Sequence, residues 1–258
     1  MKNHRVVPAI LAATLAGMLQ ATPAAAELRT QSVDYKQGDS ALEGYLAYED
    51  SLGGKRPGVL LLHRRDGMSE LTRKNTEMLA RLGYVAFAAD IFGKSIRPKE
   101  VKEMQEQSAI YNKDRPLMRA RAQAGFDVLR QNPMADPARL AVLGYCFGGT
   151  VAVELAETGA PALGTVTIHG SFRNFAPDAA RNIKGRFLIL HGAEDPVAPL
   201  EEVNALIKDF RAAKINWQME LYSGTEHGFS TPKNKAEERA NTLSQAAMAR
   251  FFSDIFSN

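Results

Sequence analysis

Apolar and polar positions alternate in blocks along most of the chain. Short apolar runs such as "GVLLLH" and "YVAFAAD" are typical of strands buried on both faces of a sheet. Between these runs, apolar residues recur every three or four positions, as on one face of a helix. The runs predict strands at residues 56–63, 84–90, 139–145, 163–170, 186–192 and 217–222. The intervening patterns predict helices at residues 69–82, 98–111, 116–131, 149–157, 200–213 and 235–256.

Strands and helices in alternation predict an α/β fold with a mostly parallel, doubly wound sheet. Residues 33–50 differ, because two alternating stretches flank a Gly-Asp turn. This pattern predicts an N-terminal antiparallel hairpin that extends the sheet at one edge. Internal repeats, low-complexity tracts and Pro/Ser-rich linkers are absent from the sequence, so we expect residues 27–258 to form a single domain.

The first 26 residues have the pattern of a targeting segment. A basic start, "MKNHRVV", precedes the apolar stretch "PAILAATLAGML" and the small-residue run "ATPAAA". This order predicts a signal peptide that is cleaved between Ala26 and Glu27. The apolar stretch is shorter than the roughly 20 residues that span a bilayer, although an uncleaved anchor remains the alternative. We therefore expect a periplasmic or secreted protein that is not attached to a membrane.

Composition narrows the possible partners. Hydrophobic residues make up 45% of the chain and charged residues 24%, which is ordinary for a soluble globular protein. The formal net charge is +3, but two of the basic residues, Lys2 and Arg5, lie in the leader. The sequence shows no basic run with interleaved aromatic residues, which argues against a nucleic-acid partner. We expect a monomer that acts on a small molecule.

The chain contains a single cysteine, Cys146, so an internal disulfide cannot form. This residue is either a small buried hydrophobe or a thiol with a function. It lies in "GYCFGG", a G-x-C-x-G-G turn between a predicted strand and a predicted helix, which is the pattern of a nucleophile elbow. Such a turn needs small residues at Gly144 and Gly148, where a side chain would collide with the neighbouring strand or helix. The helix N-terminus favours a thiolate, and the N–H of Phe147 can stabilise an oxyanion.

A cysteine nucleophile needs a histidine to handle the proton and a carboxylate to orient that histidine. In elbow hydrolases these follow the nucleophile in the order acid, then histidine. His227, in "YSGTEHGFS", follows the last predicted strand, and Asp195, in "LHGAEDPVAP", follows the strand before it. Glu194 and Glu226 are adjacent competitors for the role of the acid.

The loop after the strand that ends at His63 normally supplies the second oxyanion N–H in this architecture. We assign that N–H to Arg65 and expect His63 to brace the loop. His169 and His191 also follow strands, but both precede Asp195 and are not assigned a role. The sequence suggests neither a metal site nor an organic cofactor.

With these residues in place, the chain resembles the dienelactone hydrolase family. The resemblance rests on "GVLLLH....G", "LGYVAFAADIFGK", "LAVLGYCFGGTVA", "LILHGAEDPVAP" and "HGFSTP". It implies the α/β-hydrolase fold and a Cys146–Asp195–His227 triad. It also implies hydrolysis of a carboxylic ester or lactone, as in carboxymethylenebutenolidase, through a thioester acyl-enzyme.

Two departures from the family pattern concern the substrate. The family commonly has a Glu after the strand-end histidine, whereas this chain has Arg64, and Asp66 is the nearest alternative carboxylate. The arginine that binds the substrate carboxylate shortly after the catalytic histidine is replaced by Ser230 and Thr231. Candidate replacements for that arginine are Arg64, Arg65, Arg97 and Arg173. Two other functions stay open, a catalytically impaired binding protein on the same fold and a thiol-based redox sensor.

Overall fold

The computed structural model describes residues 27–50, 53–173, 175–176 and 178–257. The predicted leader, residues 1–26, therefore lies outside the described residues. The strands are β1 Leu28–Gln37, β2 Ser40–Glu49, β3 Arg56–Leu62, β4 Val85–Ala89, β5 Ala135–Tyr145, β6 Gly164–Ile168, β7 Arg186–Gly192 and β8 Trp217–Tyr222. The helices are α1 Glu70–Arg81, α2 Val101–Lys113, α3 Arg115–Gln131, α4 Phe147–Glu157, α5 Leu200–Ala212 and α6 Lys235–Phe256, with a short 3₁₀ helix at Ala179–Asn182.

The eight strands form one sheet in the order β1-β2-β4-β3-β5-β6-β7-β8. Strands β3 to β8 run parallel to one another, whereas β2 is antiparallel to both β1 and β4. The predicted mostly parallel sheet with an antiparallel hairpin at one edge is therefore confirmed.

Two strands begin earlier than the sequence predicts. β1 begins at Leu28 and not at Val33, because its pairing with β2 extends to Leu28 opposite Glu49. Most side chains in the first half of β1 are exposed, so this edge strand has no apolar pattern to detect. β5 begins at Ala135 and not at Arg139, because Ala135 pairs with Arg56 across a register shift.

Helices cover both faces of the sheet. Along β3, Val59 and Leu61 face α1 and α6, whereas Leu60 and Leu62 face α3 and α4. Helices α4 and α5 bury a third cluster against β7 on the same face as α3. The strand patterns are nearly continuous apolar runs because both faces of each central strand are buried.

Parallel strands bring their carboxyl ends to one edge of the sheet, and reactive groups of open α/β sheets gather there. Cys146 follows β5, His169 follows β6, Asp195 follows β7 and His227 follows β8. Among the described residues, no helix is long and apolar enough to cross a membrane.

Candidate active site

The turn that holds Cys146 has the strained backbone of a nucleophile elbow. Cys146 has φ +53° and ψ −118°, a region that L-residues rarely adopt, and it is the N-cap of α4. A Cβ atom on Gly144 would lie 2.1 Å from the carbonyl oxygen of Gly148. A Cβ atom on Gly148 would lie 2.0 Å from the carbonyl oxygen of Leu62 on β3. The two glycines are therefore required because backbone, which cannot move aside, occupies the space.

Three side chains form a hydrogen-bonded chain that begins at the thiol. His227 Nε2 lies 3.1 Å from Cys146 Sγ, and His227 Nδ1 lies 2.8 Å from Asp195 Oδ2. The other oxygen of Asp195 accepts hydrogen bonds of 2.9 Å from the N–H groups of Val197 and Ala198. These bonds hold the carboxylate in place. Asp195, and neither adjacent glutamate, therefore orients His227.

The neighbouring carboxylate has a different partner. Glu194 accepts a hydrogen bond of 2.9 Å from the N–H of Thr225, so it ties the loop after β7 to the loop after β8. The two loops that carry Asp195 and His227 are thereby held together. Glu194 contributes to the position of the histidine loop and Asp195 to the orientation of the ring.

The electrostatics of the site favour a thiolate–imidazolium pair. Burial opposes ionisation of the thiol, but the hydrogen bond and charge of His227, the Arg65 guanidinium and the N–H of Phe147 together lower the pKa of Cys146. Burial also opposes protonation of His227, yet Asp195 and Cys146 raise its pKa to about 9. The pKa of Asp195 is lowered despite its burial, because it accepts hydrogen bonds from His227 and from backbone N–H groups. Both shifts favour transfer of the proton from the thiol to the histidine.

The thiol opens into a cleft with two lobes. The large lobe is a cavity of about 320 Å³ and the small lobe one of about 160 Å³, and both include Cys146, His227 and Arg65. Most residues that line the large lobe are of polar types, and Phe147 and Val197 are its apolar residues. Its polar residues are Ser108, Asn112, Arg115, Thr150, Ser171 and Arg173. The small lobe is lined further by Arg64, Asp66, Met104, His169, Gly228, Thr231 and Lys233.

The four candidate arginines differ in their surroundings. Arg64 lines the small lobe, where its guanidinium lies 3.4 Å from Thr231 Oγ1 and 3.7 Å from Asp66. Arg173 lines the large lobe but is paired with Glu202 and donates to the carbonyl of Val197. Arg65 lines both lobes, and no ion-pair partner lies within 4 Å of it among the described residues. Of the four, Arg65 has the guanidinium that is most available to a bound anion.

Arg97 requires a correction, because it lines neither lobe. Its guanidinium donates to the carbonyls of Gly93 and Ile96 and lies 3.5 Å from the buried carboxylate of Asp90. These contacts hold the loop after β4. The prediction that Arg97 binds substrate is not supported by this position, since all of its contacts are with its own loop and the strand ends beside it.

His63 braces the loop that follows β3, as the sequence predicts. Its ring is buried, Nε2 accepts from the N–H of Ile91, and Nδ1 donates to the carbonyl of Arg64. Burial lowers the pKa of His63, so the ring stays neutral. His191 acts similarly after β7, where its Nε2 lies 2.8 Å from the carbonyl of Ala198.

Sequence reasoning did not assign a role to His169, which the structure places at the site. Its ring is fully buried and its centroid lies 5.0 Å from that of His227. Its Nε2 lies 2.7 Å from Ser230 Oγ, and its φ is +42°. The one available signal was its position directly after β6, at the same sheet edge as the other site residues.

Comparisons with known proteins agree with this geometry. A sequence model of the Dienelactone hydrolase family matches residues 42–256. A Synechocystis protein assigned as a carboxymethylenebutenolidase is 25% identical over 86% of this chain and 92% of its own length. A probable 2-oxo-3-(5-oxofuran-2-ylidene)propanoate lactonase of Bradyrhizobium is 24% identical over 74% of this chain and 80% of its own. The crystal structure of a dienelactone hydrolase-like promiscuous phosphotriesterase from metagenomic libraries is 31% identical with a TM-score of 0.84. The match covers 89% of this chain and 99% of that one.

The matched region contains the elbow, the acid and the histidine loop, and it extends from β2 to the end of α6. The chain has the α/β-hydrolase fold, and it is a hydrolase that acts on esters or lactones. It belongs to the dienelactone hydrolase family.

Proposed function

We propose that the protein hydrolyses a carboxylic ester or lactone through a thioester formed on Cys146. The observation that carries this proposal is the continuous chain from Cys146 Sγ through His227 to Asp195, with contacts of 3.1 and 2.8 Å. The order and orientation of these groups are those that nucleophilic catalysis requires.

The reaction begins with the thiolate, which attacks the carbonyl carbon of the substrate. The negative charge that develops on the carbonyl oxygen is stabilised by the N–H of Phe147 and by that of Arg65. His227 then donates its proton to the leaving alkoxide, which departs as an alcohol, and the acyl group stays on the sulfur. For a lactone, the alcohol remains attached to the acyl chain.

Water completes the cycle. Neutral His227 takes a proton from a water molecule, which attacks the thioester carbonyl. The carboxylic acid leaves, and the proton on His227 restores the thiolate–imidazolium pair. Asp195 keeps Nδ1 of the ring protonated throughout, so that Nε2 faces the sulfur.

We propose further that the substrate carries an anionic group held by Arg65. Arg65 lines both lobes together with Cys146 and lacks an ion-pair partner among the described residues, whereas Arg64 and Arg173 lie close to carboxylates. An arginine without a partner in a partly buried cleft favours an anion, because desolvated guanidinium groups gain most from a carboxylate. The name of the Bradyrhizobium relative, a lactonase of a propanoate, is consistent with such a substrate.

The test is turnover of a panel of lactones, aryl esters and sugar acetates, with a phosphotriester as a further substrate class. Cys146→Ala should lower turnover of every substrate that wild type cleaves by at least about 10⁴-fold, because Cys146 is the one nucleophilic side chain hydrogen-bonded to His227 in the part of the chain that the structure describes. Circular dichroism should show that the variant is folded. Unchanged turnover in this variant would rule out the mechanism. A redox sensor would instead show sulfenic acid formation without turnover, and a binding protein would show neither.

Arg65→Gln tests the anionic group. It should lower kcat/KM for a carboxylate-bearing ester about 10-fold more than for the matched neutral ester, since a hydrogen bond to a charged group contributes about 1.5–3 kcal/mol. Arg130→Gln, on the last turn of α3, is the control and should affect both esters equally. An equal loss of kcat/KM for both esters in Arg65→Gln would show that Arg65 does not bind the anionic group of the substrate.

We also propose that the protein acts as a monomer in the periplasm or outside the cell. The location rests on the leader pattern of residues 1–26, and the monomer rests on a Cys146–His227–Asp195 chain that is complete within one copy.

A further inference from the structure

Three potential metal ligands converge where the mechanism uses only two. Sγ of Cys146, one ring nitrogen of His169 and one ring nitrogen of His227 all lie within 4.8 Å of one another. Zn²⁺ binds thiolate at about 2.3 Å and imidazole at about 2.0–2.1 Å in tetrahedral geometry, which separates its ligand atoms by roughly 3.3–3.6 Å. Small side-chain rotations would therefore bring the three atoms onto one ion.

One ring nitrogen of His169 is free to bind a ligand. Its side chain is completely buried, Nε2 contacts Ser230, and Nδ1 has no hydrogen-bond partner among the described residues. A buried polar atom without a partner costs free energy, and in a native protein it calls for an explanation. The proposed hydrolysis does not need this ring.

The surroundings select the kind of ion. All three side chains line the small lobe, so a fourth coordination position faces open space that could hold water. The same lobe contains Arg64, Arg65 and Lys233, whose charges outnumber that of Asp66 and disfavour a cation held by charge alone. Only a metal that forms strong bonds to sulfur and nitrogen offsets this repulsion.

We propose that Cys146, His169 and His227 form a binding site for a thiophilic divalent metal ion such as Zn²⁺ or Cd²⁺, which reversibly inhibits the enzyme. Binding releases the proton shared by Cys146 and His227, and the sulfur lone pair is donated to the metal. No thiolate is then free to attack a carbonyl. The site goes beyond the proposed hydrolysis, and its occupancy is measurable without any substrate.

The direct test is titration of the purified protein with Cd²⁺, followed by the ultraviolet charge-transfer absorption of the cadmium–thiolate bond. Wild type should bind one ion per chain. His169→Gln should weaken binding by at least about 10-fold, because even residues behind a ligand contribute that much. Cys146→Ala should abolish the absorption. Asn112→Ser, in the large lobe and outside the cluster, is the control and should keep the wild-type affinity.

A second variant distinguishes the loss of a metal ligand from a loss of structure. His169→Phe removes both ring nitrogens but keeps an aromatic ring against Phe229, whose centroid lies 5.2 Å from that of His169. It should weaken Cd²⁺ binding as much as His169→Gln does. Wild-type affinity in a folded His169 variant, or no cadmium–thiolate absorption in wild type, would overturn the proposal.

Turnover provides an independent readout. In buffers of controlled free Zn²⁺, the concentration that halves the ester turnover of wild type should rise at least about 10-fold in His169→Gln, each protein being compared with its own metal-free rate. Equal sensitivity would show that Cys146 and His227 bind the metal without His169. If wild type has no turnover at all, the hydrolase proposal fails while the Cd²⁺ titration still decides the metal site.

Discussion

At the residue scale, the chemistry depends on one proton shared between Cys146 and His227. Burial by itself would keep the thiol protonated and the ring neutral, because both charged forms lose solvation. The contacts of 3.1 Å between the pair and 2.8 Å to Asp195 reverse that preference. These contacts favour an ion pair, in which the nucleophile is already deprotonated.

This pairing predicts the pH dependence of alkylation by iodoacetamide. Because the pKa of Cys146 is lowered, the reactive thiolate forms at lower pH, and the rate should reach half its plateau below the value of about 8.5 for a free thiol. His227→Asn removes the largest of the interactions that lower the pKa of Cys146, so the midpoint of the variant should move upward. Identical midpoints in the two proteins would contradict the ion pair.

At the element scale, the β5–α4 junction sets the position of the sulfur. The second half of β5 and all of α4 are buried, and the end of β3 lies against Gly148 of the turn. Strain at Cys146 persists because the packing on every side leaves no alternative path for the backbone. The packed junction therefore fixes the position of the thiol.

Gly148→Ala tests how tightly β3 confines the elbow. Its methyl group would lie 2.0 Å from the carbonyl oxygen of Leu62, so either the helix or the strand must shift. We expect the free energy of unfolding to fall by at least about 2 kcal/mol in chemical denaturation. Gly53→Ala is the control, since its methyl group would meet nothing within 4 Å, and it should change stability by less than about 0.5 kcal/mol. If Gly148→Ala has the same free energy of unfolding as wild type, the backbone of the elbow can shift to make room for a methyl group.

Helix α4 also contains a pair of buried carboxylates. Glu154 is 1% exposed and pairs with Arg115 and Arg119 of α3, while Glu157 is buried one turn later. Burial, and then the charge of Glu154, raise the pKa of Glu157 to about 8 from its ordinary value of 4.5. We therefore expect the contribution of Glu157 to stability to depend on pH.

Glu157→Gln tests this dependence. The pKa of Glu157 is higher in the folded state, so its contribution to stability is fully present below pH 4.5 and is lost as the pH rises through about 8. Between these limits, the free energy of unfolding of wild type should fall relative to that of Glu157→Gln by at least about 1.4 kcal/mol, the equivalent of one pKa unit. Urea denaturation at both pH values measures the difference. Glu201→Gln, at an exposed position on α5, is the control, and its free energy of unfolding should change with pH as that of wild type does. The same behaviour in Glu157→Gln would show that the pKa of Glu157 is not raised.

At the scale of the whole molecule, the parallel sheet brings together residues that are far apart in the chain. The ends of β5, β7 and β8 are neighbours or near neighbours at one edge, which places His227 against a cysteine 81 residues earlier. The six helices bury the sheet on both faces and leave that edge accessible. The cleft is therefore a consequence of the topology.

The proposed export makes a prediction about the mature chain. Protein recovered from the periplasm or the medium should begin at Glu27, because the small-residue run ends at Ala26. Such a cut leaves β1, which begins at Leu28, complete. N-terminal sequencing or intact mass measures the cleavage site. A membrane-bound protein that retains Met1 would show that the segment is an anchor.

Much of this protein could be read from the sequence because the signals are local. Hydrophobic periodicity located the central strands and the helices, and the order of Cys146, Asp195 and His227 predicted the triad. The spacing of Gly144 and Gly148 predicted the elbow, since steric exclusion acts over a few residues. The start of β1 was not predictable in this way, because an exposed edge strand is held by backbone pairing and lacks an apolar pattern.

Other features were decided by the tertiary structure alone. Whether Arg65 or Arg97 lines the cleft, and whether Glu194 or Asp195 reaches His227, depends on the direction of each side chain near the end of its strand. His169 comes beside the thiol because β6 is hydrogen-bonded between β5 and β7. The sequence by itself determined which residue types were available, their order and the turn that presents the sulfur. Only the order of the strands in the folded sheet determined which of these residues come into contact. That order depends on packing over the whole molecule and not on distance along the chain.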